Sequence, residues 1–116
     1  MWQREDWVRL RHMLDSAQEA ANLVHSKRQE DLARDRVLTP VLLRLLEILG
    51  EAASRVTPEF KGRYLFIPWR QLVGLRNRLI YGYDSVDNAI LRNILTTDLP
   101  PLVVQLESAL RSEPTP

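Results

Sequence analysis

The chain has 116 residues, 45% of them hydrophobic and 27% charged, with a formal net charge of +1. That is the composition of one ordinary globular domain, long enough to bury a core without covalent staples. The near-neutral balance supplies no global field for nucleic acid and leaves only a local basic patch open. With no cysteine there is no disulfide, no thiolate metal site and no thiol nucleophile. His12 and His25 lie far in sequence from each other and from the arginine-rich segment described below, which argues against zinc. The apolar runs are too short to span a membrane, and the charged N-terminus lacks the apolar segment of a secretory signal. A cytoplasmic location with no membrane partner is expected.

The first helix is predicted over residues 5–26, where Trp7, Leu10, Leu14, Ala17, Ala21 and Val24 recur at spacings of 3, 4, 3, 4 and 3. That is the seam of a helix packed against others, with Val8, Met13, Ala20 and Leu23 widening its face. Arg4, Glu5, Asp6, Arg9, Arg11 and Glu19 fall on its solvated side. His12 beside them reads as a surface residue rather than a base, and Trp2 as a staple before the helix. Residues 27–36 form a charged connector anchored by Leu32, with room for a short helical turn. Thr39-Pro40 then reads as the N-cap and first position of a second helix ending near Val56. Its apolar surface exceeds what one neighbour covers, so it is either the central helix or also part of a dimer interface. Gly50 within it implies a close backbone approach. Glu47 and Glu51, one turn apart, could serve a metal or acid–base chemistry. They read more simply as solvated carboxylates, or as partners of arginines such as Arg76 and Arg78.

Thr57-Pro58 ends the second helix, and Phe60, Tyr64 and Phe66 in the next connector are expected to cap the bundle. Pro68 opens a third helix to about Tyr81, closed by Gly82. Asp87 is placed to cap the last helix. Its seam of Leu91, Leu95, Leu99, Leu102 and Leu106 keeps phase across Pro100-Pro101. A kinked helix or two helices in line are therefore expected, with Asp98 re-capping the second half. Residues 112–116 read as a frayed tail, and no strand is predicted. The expected architecture is all-α, an up-and-down bundle of four long helices plus short helical turns, in a single domain over residues 1–111.

The third helix has a composition that a packed core does not explain. Arg70, Arg76, Asn77 and Arg78 are interleaved with Leu72, Val73, Leu75, Leu79 and Ile80. Tyr81 and Tyr83 bracket Gly82, and Asp84 and Asp87 follow. Cationic donors beside phenols at a helix end suit phosphate or RNA; the alternative is a core helix with a solvated face.

Four stretches carry a resemblance: Leu46-Glu-Ile-Leu-Gly-Glu-Ala-Ala53, Ile67-Pro-Trp-Arg-Gln-Leu-Val-Gly-Leu-Arg-Asn-Arg-Leu-Ile80, Gly82-Tyr-Asp-Ser-Val-Asp87 and Thr97-Asp-Leu-Pro-Pro101. In them the chain resembles HepT-like toxins of the HEPN superfamily, the partners of minimal nucleotidyltransferase (MNT) antitoxins. The resemblance implies a HEPN-like homodimer with metal-independent endoribonuclease activity, an RNA substrate, no cofactor and no metal site. The family motif is Arg, a polar residue, a few further residues, then His-x-Tyr. Arg76 matches the Arg, Asn77 the polar residue and Tyr83 the Tyr, while Tyr81 fills the His position. Arg76 and Arg78 are the implied RNA-binding cations, and Tyr83 is the implied site of AMPylation by the cognate MNT antitoxin.

The substitution at 81 matters chemically. Metal-free cleavage through the 2′-hydroxyl needs a proton acceptor, a proton donor and a cation for the phosphorane. Histidine titrates near neutrality, whereas an unperturbed tyrosine has a pKa of about 10 and is a poor base at pH 7. Arg76 can still clamp phosphate, so RNA binding is expected to survive with cleavage attenuated or lost. On an ideal helix Asn77 and Tyr81 share a face, while Arg76 and Tyr81 point about 140° apart. Convergence therefore needs the reach of Arg76, a loosened helix near Gly82, or a second subunit. Two roles remain open: a toxin RNase crippled at Tyr81, or a non-catalytic helical partner that regulates a nucleotidyltransferase. A nucleotide-binding HEPN domain is a third.

Overall fold

The computed structural model describes residues 4–81 and 85–114. At its centre α1 (Arg4–Val24) packs against α3 (Leu38–Arg55) and α8 (Leu99–Arg111). The face of α1 that goes inward is Trp7, Leu10, Met13, Ala17, Ala20 and Val24. Met13 and Ala20, from the widened margin of the expected face, thus take deeper places than Leu14 and Ala21 of its seam. The small side chains at 17 and 20, both fully buried, let the neighbouring helices approach closely. Leu42, Leu45, Leu46, Leu49, Ala52 and Ala53 of α3 complete the middle layer. Each fully buried leucine contributes about 1.5–3 kcal/mol relative to exposure.

Several boundaries move for identifiable reasons. α1 stops at Val24 because Ser26 adopts a left-handed backbone conformation, φ 70°. The charged connector contains α2 (Gln29–Arg34), whose first turn is closed by the Asp31 carboxylate accepting from the Arg28 N–H at 2.8 Å. Thr39 does not cap α3. The helix begins at Leu38, and the Asp35 carboxylate accepts from the N–H groups of Val37 (2.9 Å) and Leu38 (2.8 Å). Thr39 Oγ1 instead donates to the Leu32 carbonyl, tying α2 to α3.

Asp6 is buried rather than solvated, 1% exposed. Its two carboxylate oxygens accept from the Thr57 N–H at 2.9 Å and the Thr57 hydroxyl at 2.8 Å. Thr57 in turn caps α4 (Pro58–Arg63) by accepting from the Phe60 N–H. Phe60 and Tyr64 close that end of the bundle with Trp7, ring centroids 5.0 and 4.7 Å apart for the Trp7–Phe60 and Phe60–Tyr64 pairs. Phe66 only edges onto Tyr64 and stays half exposed.

The expected third helix is broken. α5 (Trp69–Val73) and α6 (Leu75–Leu79) are separated at Gly74, and the chain leaves the helix at Leu79. β1 (Ile80–Tyr81) then pairs antiparallel with β2 (Ser85–Val86), Ile80 opposite Val86 and Tyr81 opposite Ser85. This pairing, which the sequence pattern did not suggest, is two residues long. Asp87 caps α7 (Asn88–Asn93) as expected, accepting from the N–H groups of Ala89 and Ile90. α7 runs through a π-helical turn (Ile94–Asp98) directly into α8. The extra residue in that turn lets the seam pass Pro100 and Pro101, which lack N–H donors, without losing phase. Asp98 makes no cap. The start of the expected frayed tail is held in place. Tyr64 donates to Ser112 Oγ (2.6 Å), Ser112 Oγ donates to the Ala109 carbonyl (2.7 Å), and Glu113 pairs with Arg11. The fold is all-α apart from the two-residue pairing, with one of the four expected long helices split in two. Among the described residues no helix is long and apolar enough to cross a membrane.

Candidate functional site

The arginine-rich segment is positioned by its leucines. Leu75 and Leu79, one turn apart on α6, are both buried, which turns Arg76, Asn77 and Arg78 outward. The placement of α5 and α6 on α3 depends on Gly50. A Cβ there would stand 2.9 Å from the Leu72 carbonyl oxygen, closer than side-chain carbons approach backbone. The close approach implied by Gly50 is thus the contact that sets the segment against the central helix.

Arg76 and Arg78 face different grooves. Arg76 lines an open groove of about 530 Å³ between α6 and the polar stripe of α3, with Arg44, Glu47, Gly50, Glu51 and Ser54 on the opposite wall. Arg78 lines a second groove of about 430 Å³, floored by Leu72, Leu75, Ile94, Leu99 and Leu102. At the rim of that groove Arg78 meets Asp98 at 3.5 Å. Asp98 is therefore an ion-pair partner of the motif segment rather than a helix cap. Asn77 is exposed beside them and lines neither groove.

Glu47 and Glu51 pair on their own helix, not with Arg76 or Arg78. Glu47 meets Arg44 at 3.5 Å and Glu51 meets Arg55 at 2.9 Å. Arginines three and four residues away satisfy them without bridging the groove. Arg76 makes no ion pair or hydrogen bond with another described residue, and it stands in the groove as an available donor fork. Arg44 and Ser54 belong with Glu47, Glu51 and Arg55 to the single polar stripe that the sequence spacing of 3, 4 and 3 from position 44 to 54 marks on this helix; that spacing does not show that the stripe walls a groove with Arg76.

Position 81 does not sit on the helix. Its backbone belongs to β1, paired with Ser85, and the Asp87 N–H donates to the Leu79 carbonyl at 3.1 Å. Asn77 and Tyr81 therefore do not share a helical face: the loosening expected near Gly82 begins two residues before Tyr81. Gly82, Tyr83 and Asp84 lie outside the described residues, as does Trp2.

This geometry can be set beside known proteins. Residues 13–109 match the family model described as HepT-like, Ribonuclease HepT-like. The chain belongs to the HepT-like ribonuclease family. A protein of Caldanaerobacter subterraneus subsp. tengcongensis named "Putative RNase" is 32% identical over 104 residues, covering 90% of this chain and 93% of its own length. A protein of Thermococcus cleftensis named "Probable ribonuclease HepT" is 35% identical over 78 residues, covering 67% of this chain and 71% of its own. A "Putative RNase" of Methanocaldococcus jannaschii is 28% identical over 95 residues, covering 82% and 87%. No match to a solved structure is found. The HepT-like match contains α3, α5, α6 and the π turn, so both grooves lie within it.

Proposed function

We propose that this HepT-like chain is the toxin component of a two-gene toxin–antitoxin module with an MNT nucleotidyltransferase antitoxin. Its RNase site is metal-independent, built on Arg76, Asn77 and position 81, and attenuated because position 81 is tyrosine. The observation that carries this reading is Arg76. Its guanidinium makes no ion pair or hydrogen bond with another described residue and stands in an open groove, five residues before position 81, on a helix that ends at Leu79. A planar donor fork there suits a phosphate oxygen pair and the charge that develops on a phosphorane. A phenol at 81 can donate a hydrogen bond but cannot accept the 2′-hydroxyl proton efficiently at neutral pH.

The same reading includes a homodimer whose second subunit completes the cleft. Val41 and Val73, apolar and about half exposed on α3 and α5, are suited to such a contact. Light scattering at micromolar concentration should give twice the chain mass; a monomer would remove the composite cleft. Tyr83 is the proposed acceptor of AMP from the antitoxin, and an added anionic nucleotide beside Arg76 would exclude RNA phosphate. Incubation with the antitoxin and ATP should add AMP mass to the chain and not to Tyr83→Phe. The activity itself is tested by RNA cleavage in the presence of a chelator, comparing this chain with Tyr81→His. If neither cleaves while the nucleotidyltransferase still binds, the non-catalytic regulatory role takes its place.

A further inference from the structure

We propose that the polar stripe of α3 is a track for the backbone of single-stranded RNA, running from Arg76 on one side of the helix to Arg9 and His12 of α1 on the other. The proposal rests on the RNase reading for its ligand class and extends it to a surface remote from the motif. Its basis is the sharing of residues between two grooves. The Arg76 groove has Arg44 and Glu51 on its wall. A second groove of about 220 Å³ has the same Arg44 and Glu51, together with Arg9, His12 and Arg55. One stripe of one helix therefore walls both, and the surface is continuous across it.

The charge of this surface is uneven in a useful way. Arg9, Arg44, Arg55 and Arg76 outnumber Glu47 and Glu51, whereas the whole chain carries only +1. Both carboxylates are engaged by arginines of their own helix, in pairs whose side chains are roughly half to three-quarters exposed. Such pairs are weak and exchange readily for a phosphate. Arg9 contributes a guanidinium whose Nε is buried with no hydrogen-bond partner among the described residues, a donor that a bound oxyanion would draw outward. From Arg44 to Arg55 the stripe spans eleven residue-to-residue steps of helix, about 16 Å at 1.5 Å per residue. That length takes more than one phosphate. The floor between the arginines is Ile48 and Ala52, and among the described residues no Phe, Tyr or Trp lines either groove, which leaves the His12 imidazole at the far end as the ring there. The track therefore grips backbone and does not read sequence.

The test is salt-dependent binding of a labelled 12-nucleotide single-stranded RNA, followed by anisotropy in chelator, with the full chain and its variants. Arg9→Gln/Arg55→Gln removes two phosphate contacts. The slope of log K against log salt should become shallower by about 1.4, and binding near physiological salt should weaken about tenfold. Arg55→Gln alone, at an exposed site, should give half that change and guards against a folding defect at Arg9. Glu51→Gln should tighten binding by freeing Arg55. Arg34→Gln, which removes one positive charge from α2 as Arg55→Gln does from α3, should leave the slope unchanged. An Arg9→Gln/Arg55→Gln slope equal to that of the unaltered chain overturns the track, as does capture of an acidic protein partner by these arginines with no effect on RNA. The two readings fail separately. If Tyr81→His never cleaves but the slopes change as stated, the track stands without the nuclease. If Tyr81→His cleaves and adding Arg9→Gln/Arg55→Gln leaves its KM unchanged, the nuclease stands without the track.

Discussion

Asp6 and Asp35 are both acidic residues at the start of a helix, and the structure uses them differently. Asp6 accepts two hydrogen bonds from Thr57 while almost fully buried, so it joins the first turn of α1 to the cap of α4. Asp6→Ala leaves the Thr57 N–H and hydroxyl without that acceptor and should lower stability by about 1–3 kcal/mol, read as a shift in the urea midpoint at unchanged slope. Helical periodicity assigned Asp6 to solvent, because its partner is fifty-one residues away and no local pattern announces it. Asp35 lies fully exposed, and its carboxyl is held below the ordinary value first by the Leu38 N–H, then by the Val37 N–H and Lys27, against a small desolvation. A carboxylate whose folded pKa is depressed stabilises the fold above its unfolded pKa of about 3.9, and that contribution is lost as pH falls through the folded value. Denaturant midpoints measured from pH 5 downward should therefore fall less steeply in Asp35→Asn than in the unaltered chain. Equal acid slopes would dismiss the cap.

At the scale of elements, two glycines near the motif segment should respond in opposite ways to alanine. Gly50 sits under the Leu72 carbonyl at 2.9 Å, so Gly50→Ala forces α5 away from α3. The steric cost, about 1–3 kcal/mol, exceeds the gain of about 1 kcal/mol in helix propensity. Gly74 has φ −86° and ψ 4°, and the nearest atom to a Cβ is the Arg70 carbonyl oxygen at 3.4 Å. Gly74→Ala should be neutral or stabilising by up to about 1 kcal/mol, and thermal melts of the two variants would separate them. The close approach at Gly50 was legible because glycine in a leucine-rich helix has few other uses. The break at Gly74 was not, because Leu72, Leu75 and Leu79 keep a helical spacing straight through it. Likewise the leucine seam of the last helix foretold a helix continuous in phase. It could not distinguish a proline kink from the π turn that the structure uses.

For the whole molecule, the all-α architecture was readable from three long periodic segments, each of which buries the face its spacing selects. The resemblance to HepT-like proteins, carried by short stretches around Gly50, Arg76 and Pro100-Pro101, agrees with the family match over residues 13–109. What the sequence could not convey is how the motif segment is divided. Arg76 and Arg78, two residues apart, open onto separate grooves, one walled by the charged stripe of α3 and one floored by leucines. In the proposed site Arg76 is the phosphate ligand of the charged groove, while Arg78 meets Asp98 at the rim of the other groove through a partly exposed pair. The most direct test is the metal-free cleavage rate of a labelled RNA by Tyr81→His relative to the unaltered chain. A positioned acid–base group is worth about 10²–10⁴-fold, so kcat/KM should rise by that order, and Arg76→Ala in the Tyr81→His background should abolish the gain. Equal rates for Tyr81→His and the unaltered chain, or a gain that survives Arg76→Ala, would contradict the account.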